Sequence, residues 1–151
     1  MSITVELINA EHLKECIQIE KNAGPNPWIE TNYVRSFEAG KPVLALKFNQ
    51  KIIAVCCLQV VIDEATILNF VVSKKYQGQG IGQRLMTEVI DFCKNQKCQN
   101  VFLEVRSGNK AAISLYEKSG FCEFNTRRNY YPSVKQDQPP EDALEMVLPL
   151  F

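Results

Sequence analysis

The chain alternates short apolar runs with polar breaks, and the period of each run predicts its element. Ile3, Val5 and Leu7 alternate with polar residues, which predicts a short half-buried strand. Leu13, Cys16, Ile17 and Glu20 fall on a helical stripe that Asn9 or Ala10 opens, and a Gly-Pro-Asn-Pro stretch ahead of Trp28 breaks it. A second, weaker helix is expected over residues 29–39, ended by Gly40. Residues 43–48, 52–62 and 65–72 then read as three strands joined by the polar breaks Asn49-Gln50 and Asp63-Glu64, an antiparallel meander. The middle strand is almost unbroken apolar, as a strand covered on both faces should be.

A helix to about residue 96 follows Gly78, Gly80 and Gly82, with Ile81, Leu85, Val89 and Phe92 on one stripe. A short buried strand over 101–105 precedes a helix capped by Asn109, which carries Ala112, Leu115 and Tyr116 on one face and closes at Gly120. Strands over 121–125 and 143–148 finish the chain around a polar, proline-containing loop. The order β-α-α-β-β-β-α-β-α-β-β mixes hairpins with helical crossovers. It predicts an α/β fold with one mixed sheet and helices on both faces.

Composition narrows the functional classes. A length of 151 residues suits one domain with a single covered core. Lys+Arg and Asp+Glu both count 17 and the basic residues are scattered, so no field draws in nucleic acid or a membrane surface. No apolar run has membrane-helix length and no signal-peptide segment opens the chain, so a cytosolic protein is expected. The six cysteines form no Cys-x-x-Cys pair and His12 is the only histidine, which argues against zinc and against a disulfide framework.

The stretch most open to chemistry is the glycine loop. Glycines admit positive φ and close approach of a ligand to the backbone. The free N–H groups and dipole of the helix behind them then favour an anion, with phosphate the natural occupant. A P-loop would need Gly-Lys-Ser/Thr, which is absent, and the third glycine of a dinucleotide fingerprint is missing. Gln77-x-x-Gly80-x-Gly82, between a buried strand and a helix, instead resembles the pyrophosphate loop of the GCN5-related N-acetyltransferases. Residues 103–121, from Leu-Glu-Val-Arg through Asn109 to Ser-Gly-Phe, resemble the second half of that family's cofactor site. The likeness covers nearly the whole chain.

The resemblance implies a single N-acetyltransferase domain over 1–151, with a largely antiparallel sheet and acetyl-coenzyme A as co-substrate. The cofactor would lie against Phe70, Val71, Val72, Gly78, Gln79, Gly80, Ile81, Gly82, Gln83 and Asn109. Carbonyl polarisation would come from backbone N–H groups near residues 70–72, on a strand that splays from its neighbour. Glu104 is the expected base. A carboxylate on an otherwise apolar strand is costly unless solvated or used, and by pattern alone it serves equally as a strand-edge residue pairing Arg106. Tyr116 matches the family's general acid, with a phenol reference pKa of about 10, and is otherwise a core tyrosine. Asn109 is a helix cap in either case. Glu64, beside a turn, is the second choice of base.

Three stretches resemble, more narrowly, the branch of the family that acetylates the N-terminal alanine of ribosomal proteins. They are residues 60–66, residues 103–106, and Arg127-Arg-Asn-Tyr-Tyr-Pro132 with Glu141-Asp-Ala143. That branch implies a protein N-terminus as acceptor partner, walled by Arg128, Tyr130 and Tyr131; the sequence leaves the oligomeric state open, a monomer or a weak dimer. Two alternatives share these residues: transfer to a lysine side chain or small-molecule amine, and a coenzyme A-binding module without catalysis.

Overall fold

The computed structural model describes residues 2–133 and 137–151. One sheet of seven strands carries the fold. Strands β1 (Ile3–Leu7), β2 (Val43–Phe48), β3 (Lys51–Val61) and β4 (Glu64–Val72) form the antiparallel meander expected from the sequence. Strand β5 (Asn100–Arg106) joins β4 in parallel, as it must after a helical crossover, and β7 (Glu141–Pro149) inserts between β5 and β6 (Cys122–Tyr131). The mixed, largely antiparallel sheet is thus the predicted one.

Helices α1 (Leu13–Glu20) and α2 (Glu30–Glu38) cover one face. Their core joins Cys16, Ile19 and Tyr33 to Val43, Val55 and Cys57 of the sheet. Helices α3 (Ile81–Asn95) and α4 (Lys110–Lys118) cover the other, where Leu85, Met86 and Val89 meet Leu46, Ile53 and Leu58. Because β3 is sandwiched between these cores, residues 52–58 are buried on both sides, which explains its unbroken apolar run. Five of the cysteines lie in these interiors and Cys122 is exposed. Burial pushes the Cys16 and Cys93 thiols up to about 12, so neither is ionised at neutral pH.

Leu85 is fully buried on the face of α3 that anchors the glycine loop to the sheet. Leu85→Ala is expected to cost about 2–5 kcal/mol of stability, the range for an uncollapsed aliphatic deletion, read from a denaturant midpoint.

Two elements depart from the expected pattern. The strand β6 runs to Tyr131, well past residue 125, so Arg127 to Tyr131 end a strand instead of forming an irregular loop. Its register shifts against β7 at residues 123–125 and again at 127–131, and Asn129 takes φ 55°. Two bulges erase the two-residue period by which the strand would have been read. The edge strand β1 buries less than its alternation predicts: Val5 and Leu7 stay 40% and 58% exposed, with a neighbour on one side only.

Candidate active site

The site opens where β4 and β5 part. They pair only from Glu64–Thr66 against Asn100–Phe102, although β4 continues to Val72 and β5 to Arg106. A bulge starts the divergence: Cys57 faces Asn69 but Leu58 faces Ile67, leaving Leu68 as an extra residue on β4. The wedge between the strands is part of a cavity of about 590 Å³, floored by residues 67–72 and 103–106. The splay implied by resemblance is therefore present.

Parting leaves backbone donors free. The Ser73 N–H donates to the Ile53 carbonyl at 2.9 Å, directly across β3. By antiparallel alternation, the Val71 N–H also faces β3, while those of Phe70 and Val72 face the wedge. Of the three positions expected to polarise a carbonyl, these two present donors to the cavity.

The glycine loop lies at the mouth of the wedge. Gly78 and Gly80 take φ 76° and 79°, and among the described residues nothing beyond their immediate chain neighbours lies within 4 Å of where a Cβ would stand on either. A side chain there would strain the backbone and project into open space in front of the helix. Gly82 differs, since its Cβ would stand 3.3 Å from Leu115 and 3.8 Å from Val72; it lets α3 close onto α4 and β4. No side chain caps α3, and its first intrahelical bond runs from the Arg84 N–H to the Gly80 carbonyl. The N–H groups of Ile81, Gly82 and Gln83 thus remain available. Gln77 fixes the loop, donating to the Ala23 carbonyl at 2.8 Å and the Val72 carbonyl at 2.9 Å.

Glu104 and Tyr116 enter the cavity from different layers. Glu104 lies on the face of β5 opposite the α3/α4 core, where its side chain is 34% exposed. It pairs with Arg127 at 3.6 Å and not with Arg106. That distance is longer than a hydrogen bond and Arg127 has a closer partner in Glu145, so the Glu104 carboxylate keeps acceptor capacity. Tyr116 comes from α4, 7% exposed, its ring edge-on to Phe70 at 6.0 Å and near Phe121 at 5.9 Å. Burial first, then Cys56 and Tyr131, push its phenol above the ordinary range and keep it protonated. Asn109 caps α4, its Oδ1 accepting from the Ala112 N–H at 3.3 Å, and also lines the cavity.

Not every expected residue arrives there. The side chain of Gln79 donates to the Lys75 carbonyl and that of Gln83 to Ser119, and neither residue lines the cavity. Tyr131 forms part of the wall, whereas Tyr130 and Arg128 stay exposed outside it. Glu64 sits at the other end of β4, against Asn100, remote from the wedge. In turn, the cavity gains residues that the motifs missed. Glu20, 5% exposed, accepts from the Trp28 N–H at 3.0 Å, from the Tyr33 hydroxyl and from Asn69 Nδ2 at 2.9 Å. Its oxygens are so fully engaged that it serves to hold Trp28 and β4 in place. The signal was an acid on the apolar stripe of α1. Trp28 is half-buried, edge-on to Tyr33 at 5.1 Å, and both packs and lines the cavity.

Residues 11–121 match the acetyltransferase (GNAT) family, and the chain belongs to it. Among relatives, the ribosomal protein bS18-alanine N-acetyltransferase of Salmonella typhimurium is 38% identical over 149 residues, 97% of either chain. That of Escherichia coli is 37% identical over 147 residues, again 97% of either chain. The crystal structure of the ribosomal-protein-S18-alanine N-acetyltransferase from Escherichia coli matches with a TM-score of 0.91 at 37% identity, covering 99% of this chain and 94% of that one. These likenesses bear out the family and fold read from the glycine loop and from residues 103–121.

Proposed function

We propose that this protein is an acetyl-coenzyme A-dependent Nα-acetyltransferase that modifies a protein N-terminus, alanine first, with a ribosomal protein as acceptor. The carrying observation is the wedge between β4 and β5, which brings free backbone donors, Glu104 and Tyr116 to one cavity behind an uncapped helix. The near full-length likeness to alanine N-acetyltransferases supports the choice of acceptor, and a ribosomal acceptor agrees with a reaction in the cytoplasm.

The cavity fits the co-substrate in its chemistry. The N–H groups of residues 81–83 and the clear space before Gly78 and Gly80 suit a pyrophosphate. The unpaired edge of β4 suits an amide-bearing pantetheine arm lying as an added strand. When bound, acetyl-coenzyme A supplies an acetyl group activated by its thioester. Phe70 and Val72 N–H groups then donate to the thioester oxygen. Glu104 takes a proton from the acceptor ammonium, directly or through one water; an α-amine titrates near 8, within reach of a carboxylate. The freed nitrogen would form the amide bond as the carbon–sulfur bond breaks, and the second proton it sheds would pass through water to the phenolate left once Tyr116 has protonated the sulfur. Tyr116 gives its proton to the leaving sulfur. Its raised pKa makes it a reluctant donor, but the same dry surroundings raise the proton affinity of a thiolate.

Two predictions arise here. Gly80→Val is expected to weaken coenzyme A binding by roughly 5- to 150-fold, because a β-branched residue at φ 79° strains the loop by about 1–3 kcal/mol. Calorimetry on a folded variant with unchanged affinity would contradict the loop assignment. The function itself is tested by thiol release: peptides that start with alanine should consume acetyl-coenzyme A, and the same peptides with a blocked N-terminus should not. Equal release from both, or from neither, would overturn the reading.

A further inference from the structure

We infer that Arg106 is a positioning residue that latches together the two segments walling the acceptor end of the cavity. The inference rests on the proposed function and takes the acceptor to enter between Trp28 and Tyr131, which both line the cavity. Arg106 closes β5 and is 9% exposed. Its guanidinium donates from one nitrogen to the Asn26 Oδ1 at 2.8 Å and from the other to the Pro132 carbonyl at 2.9 Å. Asn26 belongs to the loop between α1 and α2, and Pro132 follows β6. These segments are 106 residues apart in sequence, and one planar fork ties them. The guanidinium also lies over the Tyr131 ring at 4.5 Å, so the wall residue is fixed by the same group.

The latch reaches the cofactor side as well. Glu141 stands 3.8 Å from Arg106 and accepts from the Gly108 N–H at 3.2 Å, one residue before the cap of α4. A Cβ on Gly108 would lie 2.9 Å from that carboxylate, so the glycine permits the contact. The third nitrogen, Arg106 Nε, is buried without a hydrogen-bond partner among the described residues. Leaving a donor unpaired in a dry site is costly. A side chain present only to fill space would avoid that cost, whereas a fork required to reach two loops at once incurs it. Lysine, a point charge with no planar fork, cannot make both bonds with this geometry.

The test compares Arg106→Lys, Asn26→Ala and the double variant. Asn26 is exposed, so its truncation leaves the core intact. For a peptide starting with alanine, Arg106→Lys should raise KM roughly tenfold, the scale of one lost charged hydrogen bond, while coenzyme A affinity by calorimetry is retained. Asn26→Ala should raise KM less, and the double variant no more than Arg106→Lys alone, because the two residues share one bond. Hydrogen exchange supplies a readout that needs no turnover: the amides of Ala23, Gly24, Asn26, Trp28, Tyr131 and Ser133 should exchange faster in Arg106→Lys, with β2 and β3 unchanged. Additive KM effects, or unchanged exchange in both segments, would overturn the latch. Unchanged KM alongside faster exchange would also overturn its role in acceptor binding. A wild-type enzyme that fails to acetylate the peptide would instead count against the proposed function, and the exchange result would still decide the latch.

Discussion

Tyr116→Phe is expected to lower turnover about 10²-fold while leaving coenzyme A affinity unchanged, the low end of general-acid effects. The substitution removes one oxygen from a ring that packs on Phe70 and Phe121, so the stacking that orients α4 persists. The sign of the pH dependence follows from burial. Because the phenol is pushed above its ordinary value of about 10, it stays protonated across the range in which the acceptor amine, near 8, loses its proton. The wild-type kcat/KM should therefore rise with pH through the amine's titration, with no falling limb from Tyr116 below pH 10. The same raised pKa makes the folded state hold its proton longer than the unfolded chain, so stability from this group is complete below about 10 and declines above it. Stopped-flow turnover at wild-type rate in Tyr116→Phe would return the residue to a packing role.

The second large effect is expected at Glu104. Glu104→Gln keeps the shape of the side chain and the strand pairing with Glu145 but removes the only carboxylate that β5 presents to the cavity. Turnover should fall by about 10²–10³-fold at neutral pH, within the range for a general base. Raising the pH should recover part of the loss, because a larger fraction of the amine then arrives already neutral. The salt bridge to Arg127 contributes little to this balance, since it is solvent-exposed and Arg127 retains its contact with Glu145. A loss that is constant from pH 7 to 10 would contradict the base assignment.

The ease with which these residues were found depends on the distance over which their signals act. The meander, the crossover helices and the glycine loop are local patterns, and each stands where the period of its apolar residues put it. Glu104 interrupts an apolar strand and Tyr116 marks a helix face, but either pattern fits a structural residue as well, and their proposed roles come from the resemblance to the family. The wedge itself was not. The residues around Leu68 are as apolar and β-branched as those of a paired strand, and no glycine or proline marks the bulge. The extended β6 was hidden for the opposite reason: two bulges removed its period while the pairing continued. Arg106 is clearer still. Its partners Asn26 and Pro132 lie 80 and 26 residues away, and only the closed sheet brings them together. Arg127 pairs with Glu104 and Glu145, again a matter of strand register.

The acceptor is the point on which the account stands most exposed. An α-amine titrates near 8 and a lysine amine near 10.4, so one carboxylate such as Glu104 neutralises the former far more readily at pH 7. Trp28 and Tyr131 line the same cavity as that carboxylate, and in the proposed function they admit a chain end. The decisive measurement is mass-spectrometric mapping of the acetyl group on a peptide that begins with alanine and carries an internal lysine. The account predicts acetylation at the α-amine, with the lysine unmodified. Acetyl groups found mainly on the lysine would contradict it.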